Sequence, residues 1–422
     1  MGGNGIGGFL SRRNLLHSGA ATIAAALAPT PLSSQEREQA VPFSGADTFD
    51  DVWRTVRDRF YDPHPRGLDW GSVHECYIAD AARAGSEDVL AGVINRMLSE
   101  LRASHTRYYT PDEPEYYQLA DIFAGALRRH GLEQAFPGGR VTYPGIGILS
   151  RANDQGHSVV IGVIDGTPAE QAGMLAGDEI VSADNAAFQP VASFRDKVGR
   201  PVALVVQRAG AFVHMQVTPA AIQPNTMFLD GMEASARIVR SNNRRIGYVH
   251  LWCYAGYAYQ RRLEHLLSQG TLKEADGLVW DLRDGWGGAV PEYLDLFNPR
   301  APTIQITDRD GVSEFGDVKW RKPVAMLING GTRSGKEVLA YGFKKYGLGE
   351  VVGTRTEGAV LAATAFLIGG GLLLLAVGDV RVDGVRLEGV GVAPTIEVQA
   401  GRAYGHPGDP QLDRAVAELS GA

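Results

Sequence analysis

Residues 323–346 read PVAMLINGGTRSGKEVLAYGFKKY: an apolar run, a glycine-rich polar loop and then a helical pattern. The apolar run predicts a strand over Val324–Ile328, and the pattern after the loop predicts a helix over Glu337–Tyr346. Further upstream, the same alternation predicts strands over 246–252 and 277–282 and a helix over 259–268. Strands that alternate with helices predict an α/β core with a largely parallel sheet. In such sheets the chemistry lies in loops at the carboxyl ends of the strands.

The loop of this stretch places Ser334 directly before the predicted helix. Free N–H groups at a helix N-terminus stabilise the oxyanion of an acyl intermediate, which a serine nucleophile requires. Alternatively, Ser334 only caps the helix. A third interpretation takes Gly330 to Lys336 as the G-x-x-x-x-G-K outline of a phosphate-binding loop, but Glu337 then stands where Mg²⁺ coordination needs Ser or Thr. We therefore take Ser334 as the candidate nucleophile and disfavour nucleotide binding.

A second glycine-rich loop, Asp281-Leu282-Arg283-Asp284-Gly285-Trp286-Gly287-Gly288, follows another predicted core strand. Adjacent glycines at the end of a strand allow the backbone to approach a ligand closely and to direct N–H groups at it. A tight turn into a helix explains the same residues equally well.

Two regions of different character precede the core. The first, residues 47–130, predicts a small helical domain with a break at Ser104-His105-Thr106; its apolar residues recur at helical spacing and include Phe49, Val52, Trp53, Val56 and Phe60. The second, residues 141–222, predicts a β-rich domain from its short strands and glycine turns. With an α/β core over 226–420, the 422-residue chain has the two or three domains expected for its length.

Composition narrows the class of protein. A hydrophobic fraction of 44%, a charged fraction of 21% and a net charge of -7 are typical of a soluble globular protein and give no reason to expect nucleic acid as a partner. Cys76 and Cys253 are predicted to be buried, inert thiols, with one disulfide as the alternative. Two cysteines so far apart exclude a metal site built from cysteine.

Two apolar stretches bear on targeting. Residues 1–34 contain Ser11-Arg12-Arg13, an apolar run over Gly19–Ala28 and an A-x-A end, which predict an export signal of the twin-arginine type, with a disordered tail as the alternative. This signal would place the protein in the periplasm. The second stretch, Ala359–Val377, is interrupted by three glycines at 369–371 and predicts two buried strands joined by a turn. Stable membrane insertion is therefore not expected.

Four motifs, in chain order, resemble those of the C-terminal-processing, or tail-specific, serine peptidases. They are D-L-R-x-x-x-G-G from Asp281, N-G-G-T-R-S-G-K-E from Asn329, E-G-V-G-V-A-P from Glu388 and G-D-P-Q-L from Gly408. The β-rich region resembles a bacterial PDZ domain, with a glycine-flanked strand, a P-A-x-x-A-G helix and a G-D-x-I turn in that order. The resemblance covers about residues 47–420 and implies a ClpP/crotonase-like catalytic core behind the helical and PDZ-like domains.

The commonest branch of that family uses a lysine as general base, and Ala359 stands where this lysine would lie. The chain is more similar to the tricorn-core branch, which uses serine, histidine and glutamate. That resemblance implies that His105 takes the proton of Ser334, while Ser104 and Glu388 orient the imidazole. It further implies an oxyanion hole made by the N–H groups of two glycines, Gly287 and Gly335. Lys336 does not share a helix face with Ser334, so we expect it to be structural.

The expected partner is a polypeptide. A PDZ-like domain captures a peptide C-terminus by strand addition, and the resemblance assigns the carboxylate to the backbone of Gly145, Ile146, Gly147 and Ile148. Peptide hydrolysis through an acyl-enzyme needs no metal or organic cofactor, and none is expected. The alternative is a catalytically inactive, peptide-binding relative of the same fold. The sequence leaves the oligomeric state open.

Overall fold

The computed structural model describes residues 45–300, 302, 304–315, 319–401 and 408–421. The predicted export signal at residues 1–34 lies outside these ranges. Of the described helices, none is both long and apolar enough to cross a membrane. One expectation about the cysteines is wrong, because the free thiol of Cys76 is exposed on its helix, while that of Cys253 is buried.

The N-terminal region is helical, as predicted. Its elements are α1 (Gly45–Arg59), α2 (Trp70–Ala82), α3 (Glu87–Ser99), β1 (Arg107–Tyr109), α4 (Pro114–Ile122), α5 (Ala124–Leu127) and α6 (Leu132–Ala135). Side-chain caps fix where two helices begin: Asp69 accepts a hydrogen bond from Gly71 N, and Ser86 accepts one from Val89 N. The apolar stripe of α1 is buried against α2 and α3, with Phe49 fully inaccessible.

The next region is β-rich. Its elements are β2 (Tyr143–Gly145), β3 (Ile148–Ala152), β4 (Ser158–Val163), α7 (Pro168–Gln171), β5 (Glu179–Ala183), β6 (Ala186–Ala187), β7 (Val202–Arg208), β8 (Ala211–Val217) and β9 (Ala220–Ile222). The main sheet runs in the order β3-β4-β5-β7-β8, with β6 paired to β5. Strand β3 therefore lies at an edge of the sheet, while β2 pairs separately with β9.

The catalytic-core region alternates helices and strands. Its elements are α8 (Pro224–Ser235), β10 (Arg237–Ser241), β11 (Arg244–His250), α9 (Tyr257–Ser268), β12 (Gly277–Asp281), β13 (Gln305–Thr307), β14 (Ser313–Phe315), β15 (Val324–Ile328), α10 (Gly335–Lys345), β16 (Glu350–Gly353), β17 (Ala362–Ile368), β18 (Gly371–Gly378), β19 (Ile396–Glu397) and α11 (Pro410–Ser420). A sheet of order β10-β11-β12-β15-β16-β19 forms its centre. All neighbouring pairs in it are parallel except β10 with β11.

Helices cover both faces of this sheet. Alternate strand residues such as Trp280 and Met326 pack with α8, α9 and α10, while Val279 and Leu327 face α11. Every residue of β12 and β15 is buried, which explains why their sequences are continuous apolar runs. The loop that carries Ser334, the candidate nucleophile, follows β15 and therefore leaves the sheet at a carboxyl end, as predicted.

The hairpin β17–β18 forms the two predicted strands, with its turn at Gly369-Gly370. Burial was predicted for both strands and is found for β18, whereas β17 is largely half-buried, because it lies at the edge of its sheet. Positive φ angles of 58° and 86° at these residues explain the glycines. The hairpin pairs with β1, giving a separate sheet of order β1-β18-β17, and its leucines pack among the N-terminal helices. This pairing, which the sequence did not predict, draws the segment before β1 toward the loop that leads into β17.

Candidate active site

The candidate nucleophile lies at a tight turn between β15 and α10. Ser334 is the N-cap residue of α10 and adopts φ 57° and ψ −130°, a backbone region that residues with a side chain rarely occupy. Two hydrogen bonds hold this geometry: Ser334 N donates to Ala359 O at 2.8 Å and to the Glu337 carboxylate at 3.2 Å. Strain held in place by surrounding contacts is typical of a functional turn.

The two glycines predicted to form the oxyanion hole lie next to this serine. A Cβ placed on Gly287 would come within 2.5 Å of Ser334 Cβ and 2.9 Å of Gly335 N. Gly335 packs as closely on the backbone of Ala289, with 2.3 Å from an added Cβ to the carbonyl oxygen. Both glycines are buried, and within the described ranges neither backbone N–H donates a hydrogen bond. Two free donors beside a serine match the needs of a developing oxyanion.

A hydrogen-bonded chain links the three other predicted residues. Ser104 Oγ lies 2.9 Å from His105 Nδ1 and donates to Glu388 Oε2, also at 2.9 Å. The carboxylate of Glu388 accepts two further bonds, from Ser104 N at 3.1 Å and from Val360 N at 2.8 Å. Residues 284 positions apart in the chain are thereby brought into one relay.

The relay fixes the tautomer of the imidazole. Because Ser104 has one hydroxyl proton and gives it to Glu388, its contact with His105 requires Nδ1 to carry the hydrogen. Nε2 is then the unprotonated nitrogen, as a general base needs. Burial, together with the nearby Arg333 charge, lowers the pKa of His105 to about 3, which keeps the imidazole neutral at physiological pH.

The relay and the nucleophile are neighbours but are not joined by a hydrogen bond. Among the bonds found within the described residues, none runs from Ser334 Oγ to His105. What connects them is a pair of consecutive residues: Ala359 O accepts from Ser334 N, and Val360 N donates to Glu388. Catalytic hydrogen bonds often form only when substrate is bound, so this separation does not exclude a Ser-His pair.

Glu337 is a site residue that sequence reasoning missed in this role. Its buried carboxylate accepts four hydrogen bonds, from Thr356 Oγ1 at 2.5 Å, Gly358 N at 2.8 Å, Ala359 N at 2.8 Å and Ser334 N at 3.2 Å. It therefore ties the nucleophile turn to the loop where the other branch carries its lysine. The signal was available, because Ser334 and Glu337 have the spacing of a capping box.

Lys336 is structural in its contacts. Its fully buried ammonium donates to Asp284 O at 2.7 Å and to Trp252 O at 3.4 Å, and burial lowers its pKa to about 8. A lysine held inside the core by two carbonyls cannot reach a phosphate, and Glu337 is occupied by N–H donors. These contacts contradict the phosphate-loop interpretation.

The D-L-R motif at Asp281 and the G-D-P-Q-L motif at Gly408 meet in one buried ion network. Arg283 pairs with Asp281 at 2.6 Å and with Asp409 at 2.8 Å, and donates to Gln411 at 2.9 Å. Burial opposes ionisation of Asp281, but the charge and hydrogen bonds of Arg283 hold its pKa below the usual range. The network anchors α11 against the strand end from which the Gly287 loop departs.

The predicted carboxylate-binding segment of the β-rich region joins β2 to the edge strand β3. Ile146 and Ile148 bury their side chains, and the carbonyl oxygens of Ile146 and Gly147 accept bonds from Ala169 N and Ile164 N at 2.9 and 3.0 Å. Gly147 has φ 83° and lies against Thr167, so only glycine fits. The free edge of β3 has the geometry that strand addition requires.

Comparisons with known proteins agree with this architecture. Residues 245–398 match the model of peptidase family S41, residues 46–99 the Tricorn protease C1 domain and residues 144–218 a PDZ domain. A carboxyl-terminal-processing protease of Synechocystis sp. is 25% identical over 333 residues, covering 76% of this chain and 72% of the relative.

Two solved structures share the fold. The photosystem II D1 C-terminal processing protease superposes with a TM-score of 0.51 at 22% identity, covering 89% of this chain and 97% of its own. The tricorn protease gives a TM-score of 0.52 at 18% identity, covering 90% of this chain but 36% of its own. The matches together indicate a PDZ-containing serine peptidase. The core of the chain is similar to peptidase family S41, which confirms the resemblance to C-terminal-processing peptidases inferred from its motifs.

Proposed function

We propose that this chain is an endopeptidase of the Ser-His-Glu type, with Ser334 as nucleophile and His105 as general base. The observation that carries the proposal is the hydrogen-bonded chain from Glu388 through Ser104 to His105 Nδ1, with both links at 2.9 Å. This arrangement is the one implied by similarity to the tricorn core. It also supplies a base although Ala359 replaces the lysine of the other branch.

The reaction follows from these positions. His105 Nε2 accepts the proton of Ser334 Oγ as the oxygen bonds to the scissile carbonyl carbon. The imidazolium then donates this proton to the leaving amine, the C–N bond breaks, and the acyl group remains on Ser334 as an ester. A water molecule next gives a proton to His105 and attacks the ester, which releases the new carboxyl terminus and restores the serine.

The supporting groups act on the charges that develop. When the imidazole becomes cationic, Ser104 Oγ accepts from Nδ1 while the Glu388 carboxylate polarises the hydroxyl. The N–H groups of Gly287 and Gly335 receive the oxyanion, each contributing roughly 3 kcal/mol of transition-state stabilisation. For the Ser334–His105 bond to form, the two loops must approach each other when substrate binds.

The substrate class follows from the PDZ domain and from the names of the relatives. We propose that the backbone of the Gly145–Ile148 segment receives a polypeptide C-terminus and that β3 pairs with the bound strand, so that exposed C-termini or unfolded chains are preferred. Residues 1–34 would direct the protein to the periplasm by the twin-arginine route. Cleavage on export would remove this segment.

Labelling tests the proposal directly. A fluorophosphonate probe should label the folded wild type, fail with Ser334→Ala and react much more slowly with His105→Ala. His265→Ala, a change at an exposed histidine on α9, is the matched control and should label like wild type. Peptide hydrolysis measured on the same variants should follow the labelling. Folded wild-type protein that neither labels nor cleaves an unfolded substrate would refute an active enzyme.

One observation favours the second candidate, an inactive peptide-binding relative. This is the lack of a Ser334–His105 hydrogen bond within the described residues. The two candidates separate when probe labelling is measured with and without a saturating C-terminal peptide. An active enzyme labels in at least one condition, whereas the inactive relative binds the peptide and labels in neither.

A further inference from the structure

The residue that precedes the nucleophile carries a cation that the reaction above does not use. Arg333 lies with its guanidinium carbon 5.4 Å from the centre of the Trp286 ring. The ring is itself fixed, because Trp286 Nε1 donates to Gln118 Oε1 at 2.7 Å. Stacking of a guanidinium on an indole restricts the cation to a plane and presents its edge in one direction.

Among the described residues, the Arg333 guanidinium forms one ion pair, and this pair involves only its Nε side. Arg333 Nε lies 3.3 Å from Glu357 Oε2, with side-chain exposures of 23% and 37%. Within the described part of the chain the buried Nε makes no hydrogen bond, and neither of the two terminal nitrogens donates one. The two terminal nitrogens, whose N–H groups can bind a carboxylate as a bidentate pair, are thus available to a ligand.

This cation lines a cavity of about 800 Å³ beside the nucleophile loop. The walls come from the loops after β12 and β15 on one side and from the PDZ edge strand on the other, where Leu149 and exposed Arg151 contribute. The cavity also contains Asp284, but its carboxylate accepts from Asn329 Nδ2 at 2.8 Å and is occupied within the loop. Glu357 also lines the cavity, but its carboxylate is paired with Arg333 Nε, so that both acidic side chains are engaged and the two arginines leave the cavity able to accept an anion.

We propose that Arg333 is a specificity-determining residue that binds a carboxylate of the substrate next to the scissile bond. Glu357 holds the Nε side of the guanidinium and orients it, and the two terminal nitrogens bind the substrate carboxylate in a bidentate pair. The carboxylate comes either from an Asp or Glu side chain or from the free C-terminus of the peptide. This inference rests on the proposed peptidase function and specifies its substrate class.

The test compares isosteric substrates. Quenched ten-residue peptides carry Asp, Asn or Lys at one position at a time, and each is made with a free and with an amidated C-terminus. Wild-type kcat/KM should favour Asp over Asn at one position, or the free over the amidated terminus, by about 10- to 100-fold. The first outcome assigns the carboxylate to a side chain, and the second assigns it to the chain end.

The variants then separate recognition from structure. Arg333→Gln should lower kcat/KM for the Asp or free-terminus peptide about 10- to 100-fold more than for its Asn or amidated counterpart, which removes the preference, and Arg333→Lys should keep a part, because charge persists without the fork. Glu357→Gln, which keeps an oxygen acceptor but not the charge beside Nε, should weaken the preference without removing it, and Arg414→Gln on α11 serves as the remote control. The inference is overturned if Arg333→Gln lowers all substrates alike, or if active wild type shows no carboxylate preference. If the wild type hydrolyses none of the peptides, the proposed peptidase function is refuted instead.

Discussion

Replacement of Ser104 by alanine tests the relay at its central atom. Ser104 Oγ makes both 2.9 Å contacts, to His105 Nδ1 and to Glu388 Oε2. Alanine leaves the Nδ1 hydrogen without an acceptor at the moment when the imidazole becomes cationic. A hydrogen bond to a charged group contributes about 1.5–3 kcal/mol, so kcat should fall about 10- to 150-fold. KM should stay nearly constant, because Ser104 does not contact substrate in this mechanism.

The fold should tolerate the change. Glu388 still accepts from Ser104 N at 3.1 Å and from Val360 N at 2.8 Å, so the carboxylate remains held. Steady-state hydrolysis of an unfolded peptide gives kcat and KM, and thermal unfolding confirms that the variant is folded. Ser104→Thr keeps a hydroxyl and should recover most of the activity, whereas Ser99→Ala, an exposed serine on α3, should have no effect. A folded Ser104→Ala enzyme with unchanged kcat, or a threonine variant as slow as alanine, would refute the relay.

Three further predictions concern stability and pH. Glu337→Gln puts an NH₂ group against the backbone N–H donors around Ser334. The loss of one buried hydrogen bond should lower the free energy of unfolding by about 1–3 kcal/mol and remove most of the activity. Unchanged thermal unfolding and unchanged kinetics would contradict this prediction. Gly162→Val should lower the unfolding midpoint, because an added Cβ would lie 2.5 Å from the Trp252 ring and overpacking of this kind costs about 1–3 kcal/mol. Gly92→Ala is the control, because a Cβ added at Gly92 meets no atom within 4 Å. The pKa of His105 is lowered from 6.5 to about 3, so the imidazole stays neutral and kcat/KM should persist below pH 6.5. In the unfolded chain His105 binds a proton already near pH 6.5, so the free energy of unfolding should fall as the pH drops from 6.5 toward 3. An acidic inflection of kcat/KM at pH 6.5 or higher would contradict the prediction.

Local chemistry explains what the sequence predicted well. The runs at Val324–Ile328 and Gly277–Asp281 are apolar because both faces of each strand are buried, so composition alone indicates a central parallel strand. The close approach of backbones at the glycine-rich loops is equally predictable, because Gly287 and Gly335 lie where any side chain would collide with a neighbouring backbone. In both cases the constraint is recorded in the residue types of the segment itself, although Gly287 packs on Ser334 and Gly335 packs on Ala289.

What the sequence did not reveal are contacts between distant segments. The hairpin at Ala362–Gly378 reads correctly as two strands, but nothing local indicates that it pairs with β1 rather than with the central sheet. Similarly, Trp252 reads as a core residue, yet its ring packs on Gly162 of the PDZ domain. Cys76 was misassigned for the same reason, because burial of one helix position depends on which neighbours cover it.

The missing lysine can be understood from the same long-range geometry. In this chain residue 359 contributes its backbone: Ala359 O accepts from Ser334 N at 2.8 Å, and Ala359 N donates to Glu337 at 2.8 Å. The next residue, Val360, donates to Glu388 at 2.8 Å and so reaches the relay. A small side chain at 359 lets this short segment lie buried between the nucleophile and the histidine relay. The loop that carries the base in one branch therefore connects, in this chain, the proposed nucleophile with the histidine relay proposed to act as its base.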